Sequence, residues 1–165
     1  MKRTATWAAA MAALGWAGSL WAHHALGNFD TALPLWVKGT VVRFERVNPH
    51  SVIFLDQKLG DGRIHRWAVD GPALVQLNRR GIAPDFLEIG AVIEVCGFAT
   101  KTGVPSERVR PPADDTGADS SAPSMSGQLL QGEVLVMPDG RKWFWSDYGQ
   151  LQKCIGPGEQ DSLIR

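Results

Sequence analysis

Ser51-Val52-Ile53-Phe54-Leu55-Asp56, Gly60-Asp61-Gly62, Arg63-Ile64-His65-Arg66-Trp67-Ala68-Val69 and Pro72-Ala73-Leu74 follow one another in the middle of the chain, and their order decides the fold. The first and third stretches carry the β-branched and aromatic residues that suit a pleated, half-buried surface. Between them Gly60-Asp61-Gly62 is a turn signal, so the two runs read as a hairpin. Pro72 then opens a short helix, because the first helical turn has no use for the N–H that proline lacks. Leu74 and Leu77 form its apolar stripe, and Gly81 suits its C-terminal cap. A helix is thus expected over residues 72–80, directly after a third strand.

Working outward, residues 35–46 mix Trp36, Val37, Thr40, Val41, Val42 and Phe44 with charged residues, the pattern of a first strand. Gly39 inside it predicts a bulge or a sharp bend. Asn48-Pro49 breaks the run before the second strand at 51–57, and the third covers 63–69. Residues 91–98 alternate as a fourth strand. A fifth at 129–137 and a last pairing partner at 141–145 flank the Pro138-Asp139-Gly140 turn. Residues 110–127, rich in Pro, Asp, Ser, Gly and Ala, read as a flexible loop or insertion. Three strands, a helix, a strand and a final strand pair make a mostly β protein. The expected architecture is a small OB-like β-barrel with one short helix between the third and fourth strands. An immunoglobulin-like sandwich is the alternative, but it needs more strands and no central helix. Val41, Ile53, Leu55, Trp67, Leu74, Leu77, Ile93 and Val95 are the expected core.

The N-terminus reads as a targeting segment. Lys2 and Arg3 precede an apolar stretch ending at Leu20-Trp21-Ala22, the three-part pattern of a cleavable signal peptide over residues 1–22. Retention as a membrane anchor is the alternative, though the apolar run is short for a span of roughly 20 residues. Removing 22 of 165 residues leaves 143, one domain's worth. The expected organisation is an N-terminal arm at 23–34, one barrel domain at 35–148 and a tail at 149–165. Without Lys2 and Arg3 the balance is 15 basic against 17 acidic residues. A polyanion-binding domain usually carries a basic excess, so nucleic acid is not an expected partner. Nor is a membrane, once the signal is removed. The expected location is periplasmic or secreted. Cys96 and Cys154 are the only cysteines, and export predicts a disulfide between them; the alternative is two thiols.

A set of short motifs adds a resemblance. His23-His24, Phe29-Asp30, Lys38-Gly39-Thr40-Val41-Val42 and Val47-Asn48-Pro49-His50 are its N-terminal part. Arg66-Trp67-Ala68-Val69, Arg79-Arg80-Gly81 and Gly90-Ala91-Val92-Ile93-Glu94-Val95-Cys96-Gly97 continue it, with Pro138-Asp139-Gly140-Arg141 near the end. In these the chain resembles a family of small bacterial exported proteins of unknown function, for which a small β-barrel is expected. The resemblance is fullest over residues 23–100. It departs at His24-Ala25, where His-Ser is the expected pair. It implies location and fold but no activity.

Two candidate sites remain. A chain beginning at His23 would offer an α-amine and an imidazole to one metal ion, and His24 or His50 would complete a brace suited to copper. Against this, His23 and His24 read equally as a solvated terminus, and His50 as a turn residue. His65, on a strand near Arg63 and Arg66, reads as exposed and structural. Trp143, Trp145 and Tyr148 form the second candidate, a ligand-stacking face, with core filling as the alternative use of the tryptophans. No G-x-S-x-G elbow, P-loop or H-E-x-x-H occurs, and Ser120, Ser121 and Ser124 fall in the loop, so no enzyme is expected. The chain therefore reads as an exported binding or accessory module for a small ligand or an envelope protein. A copper-binding protein or metal chaperone is one alternative, and a non-catalytic subunit of an envelope enzyme complex another.

Overall fold

A computed structural model describes residues 26–101, 125–146 and 151–156. The signal segment, His23, His24, Tyr148 and loop residues 110–124 lie outside the described residues.

Among the described residues, six strands and one α-helix make up the fold: β1 (Leu35–Glu45), β2 (Val52–Lys58), β3 (Ile64–Asp70), α1 (Leu74–Arg79), β4 (Val92–Ala99), β5 (Met125–Val136) and β6 (Lys142–Phe144). The strands hydrogen-bond in the order β3-β2-β1-β4-β5-β6, and a parallel β3–β5 pairing closes the first five into a barrel. The fold is mostly β, with its one short helix between β3 and β4, as the pattern predicts.

β1 makes closure possible because it serves two neighbours. Its first half, Leu35 to Thr40, pairs with β4, and its second half, Thr40 to Glu45, pairs with β2. The register shift expected at Gly39 instead falls between Val41 and Arg43. Gly39 has a different duty: a Cβ there would sit 3.1 Å from the Asp56 carbonyl oxygen and 3.2 Å from the Leu55 Cβ. The missing side chain lets β2 close against β1 where the sheet bends.

A second difference concerns β5. It begins at Met125, so residues 125–127, assigned above to the loop, are strand and pair in parallel with Ile64, His65 and Arg66 of β3. Ser126 and Gly127 carry no strand signal of their own. They are extended because the edge of β3 offers unpaired N–H and C=O groups that closure satisfies.

The barrel interior is one apolar cluster. Val37, Val41, Ile53, Leu55, Trp67, Val69, Ile93, Val95, Leu130 and Leu135 meet there with Trp145, and α1 with its following loop adds Leu77, Ile82 and Leu87. Leu74 is only half-buried, since the six-residue helix turns it off the contact stripe. At the helix end Gly81 takes φ +68°. The Gly81 N–H donates to Asn78 O and the Ile82 N–H to Leu77 O. That is a Schellman cap, completed by Ile82 and Leu77 packing in the same core.

The hairpins at Asp61 and Asp139 repeat one device. Each aspartate accepts the N–H of the arginine two residues on at 3.0 Å and its Nε at 2.6 Å. Those backbone N–H bonds hold both carboxyls below the usual carboxylate range.

Arm and tail pack onto the barrel. Phe29 is buried and bridges to Thr100 beyond the end of β4. Cys96 on β4 and Cys154 form a disulfide with Cα atoms 5.8 Å apart. Both sulfurs lie in a small cluster with Val134, flanked by Phe144 and Ile155. Next to Cys154, Lys153 reaches the Thr31 carbonyl and lies over the Phe98 ring, so the tail touches the arm as well as β4.

Candidate functional site

The connection from β1 to β2 holds an organised polar group. Asn48 is joined to Pro49 by a cis peptide bond, and its Oδ1 accepts the Leu74 N–H at 3.2 Å. The Gln76 side chain accepts the Ala73 N–H at 2.8 Å, so α1 starts with two of its first N–H groups satisfied. Asn48 thereby ties this connection to the helix. Two residues later, Nδ1 of His50 lies 3.0 Å from Oδ2 of Asp70 at the end of β3. The imidazole is 30% exposed and the carboxylate 11%. A histidine so held has its tautomer and ring plane set by the carboxylate, which accepts from Nδ1.

His50 borders a groove of about 220 Å³ on the outer side of β1 and β2. Val52 and Phe54 form its floor, Arg43 and Glu45 one wall, and Val47, Asn48 and His50 the other. The floor residues project outward because Ile53 and Leu55, their alternates, point into the core. Arg43 lies over the Phe54 ring at 4.2 Å and reaches Glu45 Oε1 at 3.1 Å. Val47 is 45% exposed, an apolar residue at the rim.

The other candidates are placed elsewhere. Trp145 is completely buried in the main core, against Gly71 and Gly132, where any Cβ would collide with its indole. Trp143 is half-buried and meets Phe86 edge-on at 4.8 Å, and Phe86 in turn stacks on Trp145 at 6.4 Å. These rings fill the barrel base. His65 is half-buried rather than exposed, edge-on to Trp67 at 4.5 Å, and burial lowers its pKa. Of the sequence candidates, then, the fold joins Cys96 to Cys154 and gathers Trp143 with Trp145, while His50 stands apart from both pairs. Among the described residues no three His, Cys, Asp or Glu side chains converge as metal ligands.

Sequence reading missed Arg43, Glu45, Val52, Phe54 and Asp70. A signal for Asp70 existed. Counting outward from Asp61 along both strands of the hairpin places Asp70 opposite Val52, hence beside His50, as the observed register has it.

No curated protein matches the chain. The model of one family does match, over residues 10–107, more than half of the 165; the protein belongs to DUF6152, a family of unknown function.

Proposed function

We propose that this protein is an exported, non-catalytic binding module that takes a small ligand in the groove between β1 and β2. The observation that carries the reading is the groove itself. It combines an apolar floor of Val52 and Phe54 with polar groups that are already held in place, His50 by Asp70 and Asn48 by the helix start. Convergent fixed polar groups around an apolar floor are the usual make-up of small-molecule sites. The place is also one that barrels of this kind use, on the outer face near the first connection between strands. A protein-observed NMR fragment screen against the protein and its Val47→Trp variant tests it. Fragments should bind the parent and lose affinity for the variant, whose indole overhangs the groove. Fragments that bind both equally, or shift no groove residue, exclude it.

One observation favours copper as a second reading. Metal-binding imidazoles typically donate their other ring N–H to a carboxylate, which is the relation of His50 to Asp70. In that reading His23, with its amine, and His24 or His50 form the brace. Copper titration of a chain beginning at His23 should give tight binding that weakens in His50→Ala and on adding one residue before His23. Affinity should also fall as pH drops through about 6.5, where imidazoles take up protons. An extended chain binding copper as tightly as the one beginning at His23 excludes the brace.

A further inference from the structure

We infer that Asp61-Gly62 is the place where this protein ages chemically, by isomerisation of the aspartate, and that Arg63 restrains the reaction. In an Asp-Gly pair the glycine nitrogen can attack the aspartate Cγ, because no Cβ crowds its approach. A C–N bond forms, the carboxyl loses its hydroxyl as water, and a five-membered succinimide results. Water then opens the ring at either carbonyl. One opening returns aspartate, and the other leaves isoaspartate, whose main chain runs through the side-chain carbon. The chain carries this pair three times, at Asp61-Gly62, Asp70-Gly71 and Asp139-Gly140.

The fold sorts the three. Asp70 ends β3, is buried, and is held in register from both sides, by Val52 of β2 and Gln131 of β5. The Gly71 N–H donates to the Ser51 carbonyl at 2.9 Å, and the Trp145 indole packs against Gly71. Ring closure there would break ladder and core together, so this pair is locked. The other two sit in exposed turns built alike. Each glycine has positive φ, +85° at Gly62 and +81° at Gly140. Each donates its N–H back across the turn, to Leu59 O at 3.0 Å or Met137 O at 2.9 Å. Each carboxylate is bound twice by the arginine two residues on. The arginine backbone N–H, and after it the guanidinium, favour the ionised carboxylate, which has no hydroxyl to lose. What differs is the residue before the aspartate. Pro138 fixes its own φ near about −65°, whereas Gly60 is unconstrained and a Cβ there would meet nothing within 4 Å. The Asp61 turn therefore has the freer backbone for the swing that brings Cγ over the Gly62 nitrogen.

The test is to incubate the folded protein near neutral pH, below its unfolding transition, and to read isoaspartate at each position by peptide mass spectrometry. It should accumulate fastest at residue 61, more slowly at 139 and least at 70. Arg63→Gln keeps the backbone bond and removes the guanidinium. The rate at 61 should then rise roughly two- to fivefold, the scale of an exposed ion pair, while 139 keeps the parent rate. Rates are read against residue 70 in the same sample, so a general loosening of the fold does not count as release of the restraint. Exchanging the preceding residues should move the order, with Gly60→Pro slowing 61 and Pro138→Gly speeding 139. Accumulation at 139 or 70 that matches or exceeds 61 in the parent overturns the assignment of the site, as does an order that the exchange leaves unchanged. A ratio of 61 to 70 that Arg63→Gln does not raise overturns the restraint.

Discussion

The two sides of the β2–β3 hairpin are both buried, yet they behave as different kinds of surface. Ile53, Leu55, Trp67 and Val69 point inward and join a cluster to which all five barrel strands and the helical segment contribute. Val52, Phe54 and Ala68, the intervening residues, point outward and form a separate patch with Val42 and Leu129. Across the barrel, the outer side of β4 and β5 carries a third patch built on the Cys96–Cys154 disulfide. Inside, each residue supports every neighbour, so the pattern is set by the requirement to close. Outside, patches are independent, and there the chain can place a groove, a strap of tail or a cap without disturbing closure.

The largest expected effect breaks the inner surface. Ile53→Ala or Ile93→Ala should cost about 2–5 kcal/mol in a urea unfolding curve, from lost burial plus the cavity left behind. Val42→Ala, its outer counterpart, should cost about 1 kcal/mol, since only part of one small side chain is withdrawn from contact. Equal losses at the two positions would mean that the outer patch is as integral as the core. Next comes the strap. Replacing both Cys96 and Cys154 with serine should remove about 2–4 kcal/mol, because their bond closes a loop with a sequence separation of 58. Hydrogen exchange should then speed up in residues 151–156 and at Thr31, and much less in β2 and β3. A uniform rise across the barrel would merge strap and core into one unit.

The same contrast explains what the sequence made legible. The inner surface was readable because apolar runs centred on Val52-Ile53-Phe54-Leu55 and Trp67-Ala68-Val69, with the alternation over 91–98, mark its strands, and because Gly81 and the two Asp-Gly turns punctuate it. Seven of the eight expected core residues are buried, and Leu74 is the half-buried exception. Closure was not readable: β5 gains Met125, Ser126 and Gly127 by pairing with β3, sixty-odd residues earlier, and no local pattern records that. Glu133 shows the same limit. The β4–β5 register slips between Cys96 and Gly97, and the Glu133 carbonyl accepts the Trp145 N–H at 2.8 Å instead of a β4 partner. Of the candidate site, His50 was legible from its place after Asn48-Pro49. The groove was not, because it belongs to the outer alternates of two strands, whose burial the inner pattern says nothing about.

The smallest expected effect sharpens the inner surface where it turns polar. Toward the β2–β3 turn the apolar lining gives way to Gln57 and His65, which face each other across the pair. Trp67 Nε1 donates to Gln57 Oε1 at 2.9 Å, and the His65 ring stands edge-on to the same indole. Burial lowers the His65 pKa from its ordinary value, because the charged imidazolium would lose hydration there. The unfolded chain takes up this proton near pH 6.5, whereas the folded one resists it until a lower pH. Between those points the unfolded state binds more protons, so stability falls as pH drops below about 6.5 and is unaffected well above it. His65→Gln keeps a polar side chain at this end of the barrel and removes the titration. The urea midpoint of the variant should therefore decline less between pH 7.5 and pH 5 than that of the parent, while the two differ little in slope above pH 7.5. Contributions from the turn aspartates are common to both chains and cancel in the comparison. Parallel declines across that interval would show that the imidazole is solvated in the folded state, and that the interior ends at Trp67.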